Sequence, residues 1–140
     1  MAHEPTTSYE KFPNLEQKTI LIVEDEVLLR IPVAEFLRAG GFEVLEAANA
    51  DEAIILLNSG VNCDLVLSDF QMPGTMDGVA LARRLKIERP GLPVVLSSSD
   101  TTIARAAEAV AFIAKPYSLS DLNRLTNELL GLHHGKSSNE

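Results

Sequence analysis

The sequence predicts an α/β domain of the doubly wound type, a five-stranded parallel sheet with helices on both faces. Two observations carry that prediction. Five short apolar runs, at 19–23, 42–47, 65–68, 94–96 and 111–114, each stop abruptly at polar or turn-forming residues, as strands buried on both faces do. Between them lie segments whose apolar residues recur at helical spacing, and strands that alternate with helices pair in parallel through right-handed crossovers.

Residues 1–17 are polar, contain Pro5 and Pro13 and sustain no period, so a flexible arm is expected ahead of a domain at 18–132. Tyr9, Phe12 and Leu15 could dock on that domain. The first strand is the β-branched run Thr19-Ile20-Leu21-Ile22-Val23, ending in Glu24-Asp25-Glu26. Val27, Ile31, Ala34 and Leu37 then form a helical stripe ended by Gly40-Gly41, and Pro32 inside it removes one backbone hydrogen bond and is expected to kink the helix. After the second strand, Asn49 with Glu52 three residues on has the spacing of a capping box, for a helix through Ser59 closed by Gly60. The third strand stops at Asp69, followed by a turn with Pro73, Gly74, Asp77 and Gly78. Val79, Ala82, Leu85 and Lys86 mark a third helix that ends before Pro90. Val94-Val95-Leu96 enter the run Ser97-Ser98-Ser99-Asp100, ahead of a short alanine-rich helix at about 102–109. The fifth strand stops at Lys115-Pro116, and Ser118 with Asp121 caps a last helix with Leu122, Leu125 and Leu129 inward. A flexible polar tail, 133–140, is expected to follow.

Composition narrows the function classes. A chain of 140 residues with 46% apolar and 23% charged side chains is long enough for one domain with a sizeable core. Its net charge of -8 and the lack of a Lys/Arg run argue against a nucleic-acid surface. Cys63 stands alone and cannot form an internal disulfide, no His or Cys spacing suits zinc, and no apolar stretch approaches the ~18 residues of a membrane span. A reducing cytoplasm, with no export signal and no membrane partner, is the compartment expected. Gly-rich loops for dinucleotides or nucleoside triphosphates are missing.

In a parallel sheet the residues just past each strand line one edge, where open α/β folds bind ligands. That edge collects Glu24 and Asp25 from the first strand, Asp69 from the third, Ser98 from the fourth and Lys115 from the fifth. Carboxylates crowded together raise one another's pKa unless a cation neutralises them, and an all-oxygen set suits a hard ion such as Mg²⁺ (or Mn²⁺). A carboxylate beside such an ion is a candidate nucleophile toward phosphorus, with Lys115 and the Ser98 hydroxyl to take the remaining phosphoryl oxygens. Singly, each residue has a structural explanation: an acidic helix start for Glu24 to Glu26, a helix cap for Ser98, a solvated turn lysine for Lys115, a turn-starting acid for Asp69. Their joint occurrence, one set per strand end, favours the chemical reading.

On Ile-Val-Glu24-Asp25-Glu26, Ser68-Asp69-Phe-Gln-Met-Pro73, Met76-Asp77-Gly78, Val-Val-Leu-Ser-Ser98 and Phe112-Ile-Ala-Lys115-Pro116, the chain resembles the receiver domain of bacterial two-component response regulators, single-domain chemotaxis-type regulators among them. The resemblance runs from about residue 19 to residue 132 and implies the flavodoxin-like (βα)5 fold with strand order 2-1-3-4-5. It also implies that Glu24, Asp25, Asp69 and the backbone carbonyl of Gln71 hold Mg²⁺, and that Asp69 accepts a phosphoryl group from a sensor histidine kinase or a histidine phosphotransfer protein. Ser98 and Lys115 contact that group, and the peptide between Lys115 and Pro116 is cis. Ser98 and Phe112 then form a switch that remodels the surface of the alanine-rich helix, the fifth strand and the last helix. Phe112 lacks the phenolic hydroxyl of many relatives, the loop 72–78 is one residue longer than the usual form, and the interval from Ser98 to Lys115 is shorter. The function expected is a stand-alone phosphoacceptor module rather than an enzyme, acting on an unknown downstream protein and with room for a weak homodimer. The alternatives are a phosphatase of the haloacid dehalogenase type, whose nucleophile would follow the first strand, and a degenerate receiver that only scaffolds partners.

Overall fold

The computed structural model describes residues 17–100 and 111–132. Five parallel strands, β1 (Thr19–Val23), β2 (Glu43–Ala47), β3 (Leu65–Asp69), β4 (Val94–Ser98) and β5 (Ala111–Ala114), form one sheet in the order β2-β1-β3-β4-β5. The helices among the described residues are α1 (Val27–Ala39), α2 (Ala50–Leu57), α3 (Gly78–Glu88) and α4 (Leu119–Leu130). The alanine-rich helix expected at 102–109, the arm up to residue 16 and the tail from 133 lie outside the described residues. Among the described residues no helix is long and apolar enough to cross a membrane.

Side chains alternate across a strand, so each strand feeds two cores. Leu21, Val23, Val66 and Leu96 pack with Ala53 and Leu57 of α2 and Leu81 and Leu85 of α3. Ile20, Ile22, Leu65, Leu67 and Val95 pack on the other face with Ala34 and Leu37 of α1 and Leu122 of α4. The helix starts follow local chemistry. Asn49, Asp77 and Ser118 each accept a hydrogen bond from a backbone N–H three residues on, which satisfies one of the orphan donors of the first turn. Glu52 also reaches back, accepting from the N–H of Ala48 at 2.7 Å. Positive φ at Gly41 and Gly131 takes the chain out of α1 and α4.

Two expectations need correction. Val27 and Ile31 do not belong to the inward stripe of α1: they are 48% and 41% exposed, and the buried residues of the helix are Ala34 and Leu37. The first turn of α1 stays largely open to solvent, with Leu28 87% exposed and Leu29 in the wall of an open cleft. Pro32 lies inside α1, and the helix continues through it to Ala39. α2 closes two residues early, with Asn58 as its C-cap.

Candidate functional site

Register decides what meets at the carboxyl edge. Val23 pairs with Ser68 and Asp69 pairs with Ser97, so the residue after β1, Glu24, comes beside the end of β3. Ser98 pairs with Ala114, and the N–H of Lys115 donates to the Ser98 carbonyl at 2.9 Å, which delivers the lysine from the far side of β4. The carboxylates of Glu24, Asp25 and Asp69 accordingly offer oxygens all within 4.8 Å of one another. Lys115 Nζ donates to Asp69 Oδ1 at 2.8 Å and stands 3.6 Å from Glu24 Oε1. Glu24, Asp69 and Lys115 open on a cleft of about 380 Å³ that also has Arg30 and Tyr117 in its wall.

Alternation explains which side the carboxylate takes. Asp69 follows Leu67 by two residues, so it lies on the α1 and α4 face of the sheet, as the cleft lining of Ile22 and Leu67 requires. Ser97 has that same parity and lines the cleft together with Ser99. Ser98 has the opposite parity. It is buried, and its Oγ accepts from the N–H of Asp100 at 2.9 Å. Phe112 is half-buried against the core of the α2 and α3 face, on the side to which Ser98 belongs. Gln71 lies two residues past β3 in an exposed loop, and the Lys115-Pro116 peptide is cis. The structure thus brings Glu24, Asp25, Asp69 and Lys115 together, with Ser98 and Phe112 on the neighbouring face.

The electrostatics of the site are those of an under-compensated acidic cluster. Burial pushes the Glu24 carboxyl above its ordinary range; Asp69 and Asp25 add to this, while the Glu26 N–H and Lys115 oppose it. Burial of the Lys115 ammonium draws its pKa down, but the hydrogen bond and charge of Asp69, with Glu24 behind it, outweigh that and leave it raised. Burial likewise raises the Tyr117 phenol. One lysine therefore faces three carboxylates, and the all-oxygen donor set fits a hard divalent cation.

A consequence for stability follows from the direction of the Glu24 shift. A carboxyl whose folded pKa lies above its unfolded value of 4.5 binds its proton more tightly when folded. Its contribution is fully present below that unfolded value and is lost as pH rises through the folded one. In buffer free of divalent cations, Glu24→Gln should match wild type in urea melts at pH 4 and exceed it at pH 7. An equal difference at both pH values would refute the assignment of that cost to Glu24.

Some residues that shape the site carry no motif signal. Ser68, fully buried, donates to the Asp69 carbonyl at 2.9 Å. Gly78 opens α3 directly against that same carbonyl: a Cβ there would lie 2.0 Å from Asp69 O. Arg30 donates to the Glu24 carbonyl at 2.7 Å and to Glu46 of β2 at 2.9 Å. The Gly78 and Arg30 contacts do not follow from sequence spacing alone, because each depends on how a helix crosses the sheet edge.

Comparison with known proteins agrees with this geometry. The sequence profile of the response regulator receiver domain matches residues 20–127. The transcriptional regulatory protein PdtaR of Mycobacterium tuberculosis is 38% identical over 110 residues, 75% of this chain and 53% of that protein, so the chain spans about half the length of this relative. The crystal structure of a response regulator receiver protein from Sinorhizobium medicae superposes with a TM-score of 0.77 at 27% identity, covering 84% of this chain and 97% of that one. Response regulator protein TrrA of Thermotoga maritima, in complex with Mg²⁺-BeF, superposes with a TM-score of 0.72 at 29% identity, covering 81% of this chain and all of that one. The match to receiver domains does not favour the phosphatase alternative. Strand order, the site at the edge of the sheet and the match over residues 20–127 converge: the chain belongs to the response regulator receiver domain family of two-component signalling.

Proposed function

We propose that this chain receives a phosphoryl group on Asp69 from a phosphohistidine of a sensor kinase or a histidine phosphotransfer protein, and that the modified state alters binding to a downstream protein. One observation carries the reading: Asp69 shares a space of 4.8 Å with two further carboxylates while its own oxygen is 2.8 Å from the Lys115 ammonium. Glu24, Asp25 and Asp69, with the Gln71 backbone carbonyl, would hold Mg²⁺ or Mn²⁺. The bound cation would neutralise the carboxylates and the incoming phosphate, the charge compensation that phosphoryl transfer chiefly needs. The Mg²⁺-BeF complex of TrrA supports the choice of ion.

In the transfer, an Asp69 carboxylate oxygen forms a bond to phosphorus as the phosphorus–nitrogen bond of phosphohistidine breaks. The bonding electron pair leaves on the imidazole nitrogen, and Lys115 holds a phosphoryl oxygen through its ammonium. Ser98 is the group that must move. To donate to the phosphate, its O–H leaves the Asp100 carbonyl, to which it donates at 3.4 Å, and in moving the oxygen also releases the Asp100 N–H, a bond of about 1 kcal/mol net. Phe112, packed on the same face, can then turn inward, a population shift biased by a local charge.

The test is direct. Incubation with Mg²⁺ and acetyl phosphate should add one phosphoryl group by intact mass, and hydroxylamine should remove it, as it does an acyl phosphate. No adduct under conditions that modify a competent receiver alongside would end the phosphoacceptor reading. Steady release of phosphate from many phosphomonoesters would point to a phosphatase instead.

A further inference from the structure

We propose that Arg30 is a positioning residue of the acidic site: anchored by Glu46, its guanidinium fixes the Glu24 backbone so that the carboxylates are pre-set for a divalent cation. The inference rests on the metal reading above and adds to it a residue outside the carboxylate set.

Three like charges gathered from the ends of β1 and β3 repel one another, and the three-residue connection Glu24-Asp25-Glu26 between β1 and α1, which carries two of them, has to resist that repulsion. Glu24 is held at every polar atom of its backbone. Its N–H donates to the Ala47 carbonyl at 3.0 Å, and its carbonyl accepts from Arg30 Nη1 at 2.7 Å. Its Oε2 accepts from the Glu26 N–H at 3.1 Å, which leaves Oε1 turned toward Lys115. Of these restraints only the one from Arg30 comes from a side chain on a helix, and it is braced. Arg30 Nε pairs with Glu46 Oε1 at 2.9 Å, while Glu46 Oε2 accepts from Arg38 Nη2 at 3.1 Å.

The chemistry asks for arginine here. A planar fork presents donors in fixed directions, so one guanidinium serves a carbonyl and a carboxylate at once, whereas an ammonium is a single point donor. The Arg30 side chain is 15% exposed, so solvent screens its charge little. Among the described residues it donates to the Glu24 carbonyl and to Glu46, and to none of the three clustered carboxylates. It therefore fixes the Glu24 backbone, with its charge paired to Glu46, without occupying the oxygens a cation needs.

Arg38 provides the internal control. It braces the same Glu46 and the Val44 carbonyl, at 3.0 Å, but does not reach Glu24. Calorimetric titration of MgCl₂ into the full chain should give a dissociation constant about tenfold weaker for Arg30→Ala, in line with the loss of an outer-shell partner. Arg38→Ala, which removes only the outer link of the brace and leaves the Arg30–Glu24 contact in place, should weaken the constant by no more than about twofold, clearly less than Arg30→Ala. Arg30→Lys should recover only part of the affinity. Glu46→Gln, which keeps the shape but loses the brace's charge, should weaken binding in the same direction and serves if Arg30→Ala does not fold. Wild-type affinity in Arg30→Ala, or in both Arg30→Lys and Glu46→Gln, would overturn the proposal, as would an equal loss in Arg38→Ala. A wild-type protein that takes up no Mg²⁺ would overturn the metal reading itself, and the proposal with it.

Discussion

Gly78→Ala is expected to destabilise the protein by about 3 kcal/mol or more and to disable Asp69 as well, because the added methyl group has nowhere to go. Its Cβ would meet the Asp69 carbonyl oxygen at 2.0 Å, the Asp69 carbonyl carbon at 3.0 Å and the Phe70 oxygen at 3.0 Å. All three are backbone atoms, so no side chain can swing aside. The Gly78 N–H also donates to Phe70 O at 3.0 Å, which ties the start of α3 to the end of β3. Relief therefore requires moving α3 or the end of β3. Moving β3 takes Asp69 away from Lys115, to which it is bonded at 2.8 Å. The demand is one of space and not of handedness, since Gly78 is not among the glycines with positive φ.

Thermal melts should show a drop of roughly 10 °C, and phosphoryl uptake measured well below the melting temperature should fall with it. Gly91→Ala is the matched comparison. Nothing lies within 4 Å of its added Cβ and its φ is not positive, so it should be neutral or slightly stabilising. Equal melting temperatures for the two variants would refute the close-approach argument.

Asp69→Asn should abolish the acetyl phosphate adduct while leaving the amide spectrum of the fold in place. The substitution conserves shape, and the side chain sits at a strand end outside both apolar cores. What it removes is the anionic oxygen that would attack phosphorus, and with it one of three carboxylates for a cation. The lysine provides a second reading of the same change. Lys115 owes its raised pKa chiefly to Asp69 against the opposing effect of burial, so the variant should draw that pKa down toward or below the ordinary lysine value, leaving Glu24 at 3.6 Å and the weaker influence of Tyr117 to support it. NMR titration of the lysine side chain measures this. An adduct that persists in Asp69→Asn would move the acceptor to another residue. An unchanged Lys115 titration would mean that the 2.8 Å pairing does not persist in solution.

Much of this protein is decided along the chain. The strands at 19–23 and 111–114 are legible to the residue, because an apolar β-branched run and a turn are local events. The caps at Asn49 and Ser118 are legible for the same reason, each needing only a side-chain oxygen within reach of a backbone N–H three residues on. Parallel pairing then sends Glu24, Asp69 and Lys115 to a common edge, and the register brings them within reach of one another. Which face each takes, and what leans on it, is settled only when the sheet is assembled. Three consecutive serines look alike in sequence, yet the pleat turns Ser97 into the cleft and Ser98 to the opposite face, against the Asp100 N–H. Val27 and Ile31 have helical spacing but stay exposed, so periodicity assigns them to a core that they do not enter. Gly78 reads as one turn glycine among several until α3 is packed against the Asp69 carbonyl. Arg30 reads as a solvated helix residue until β2 brings Glu46 alongside it. The division has one physical cause: sequence period records what each residue does within its own element, whereas contacts across 9 to 46 positions exist only after strand register and helix crossing have chosen which atoms meet.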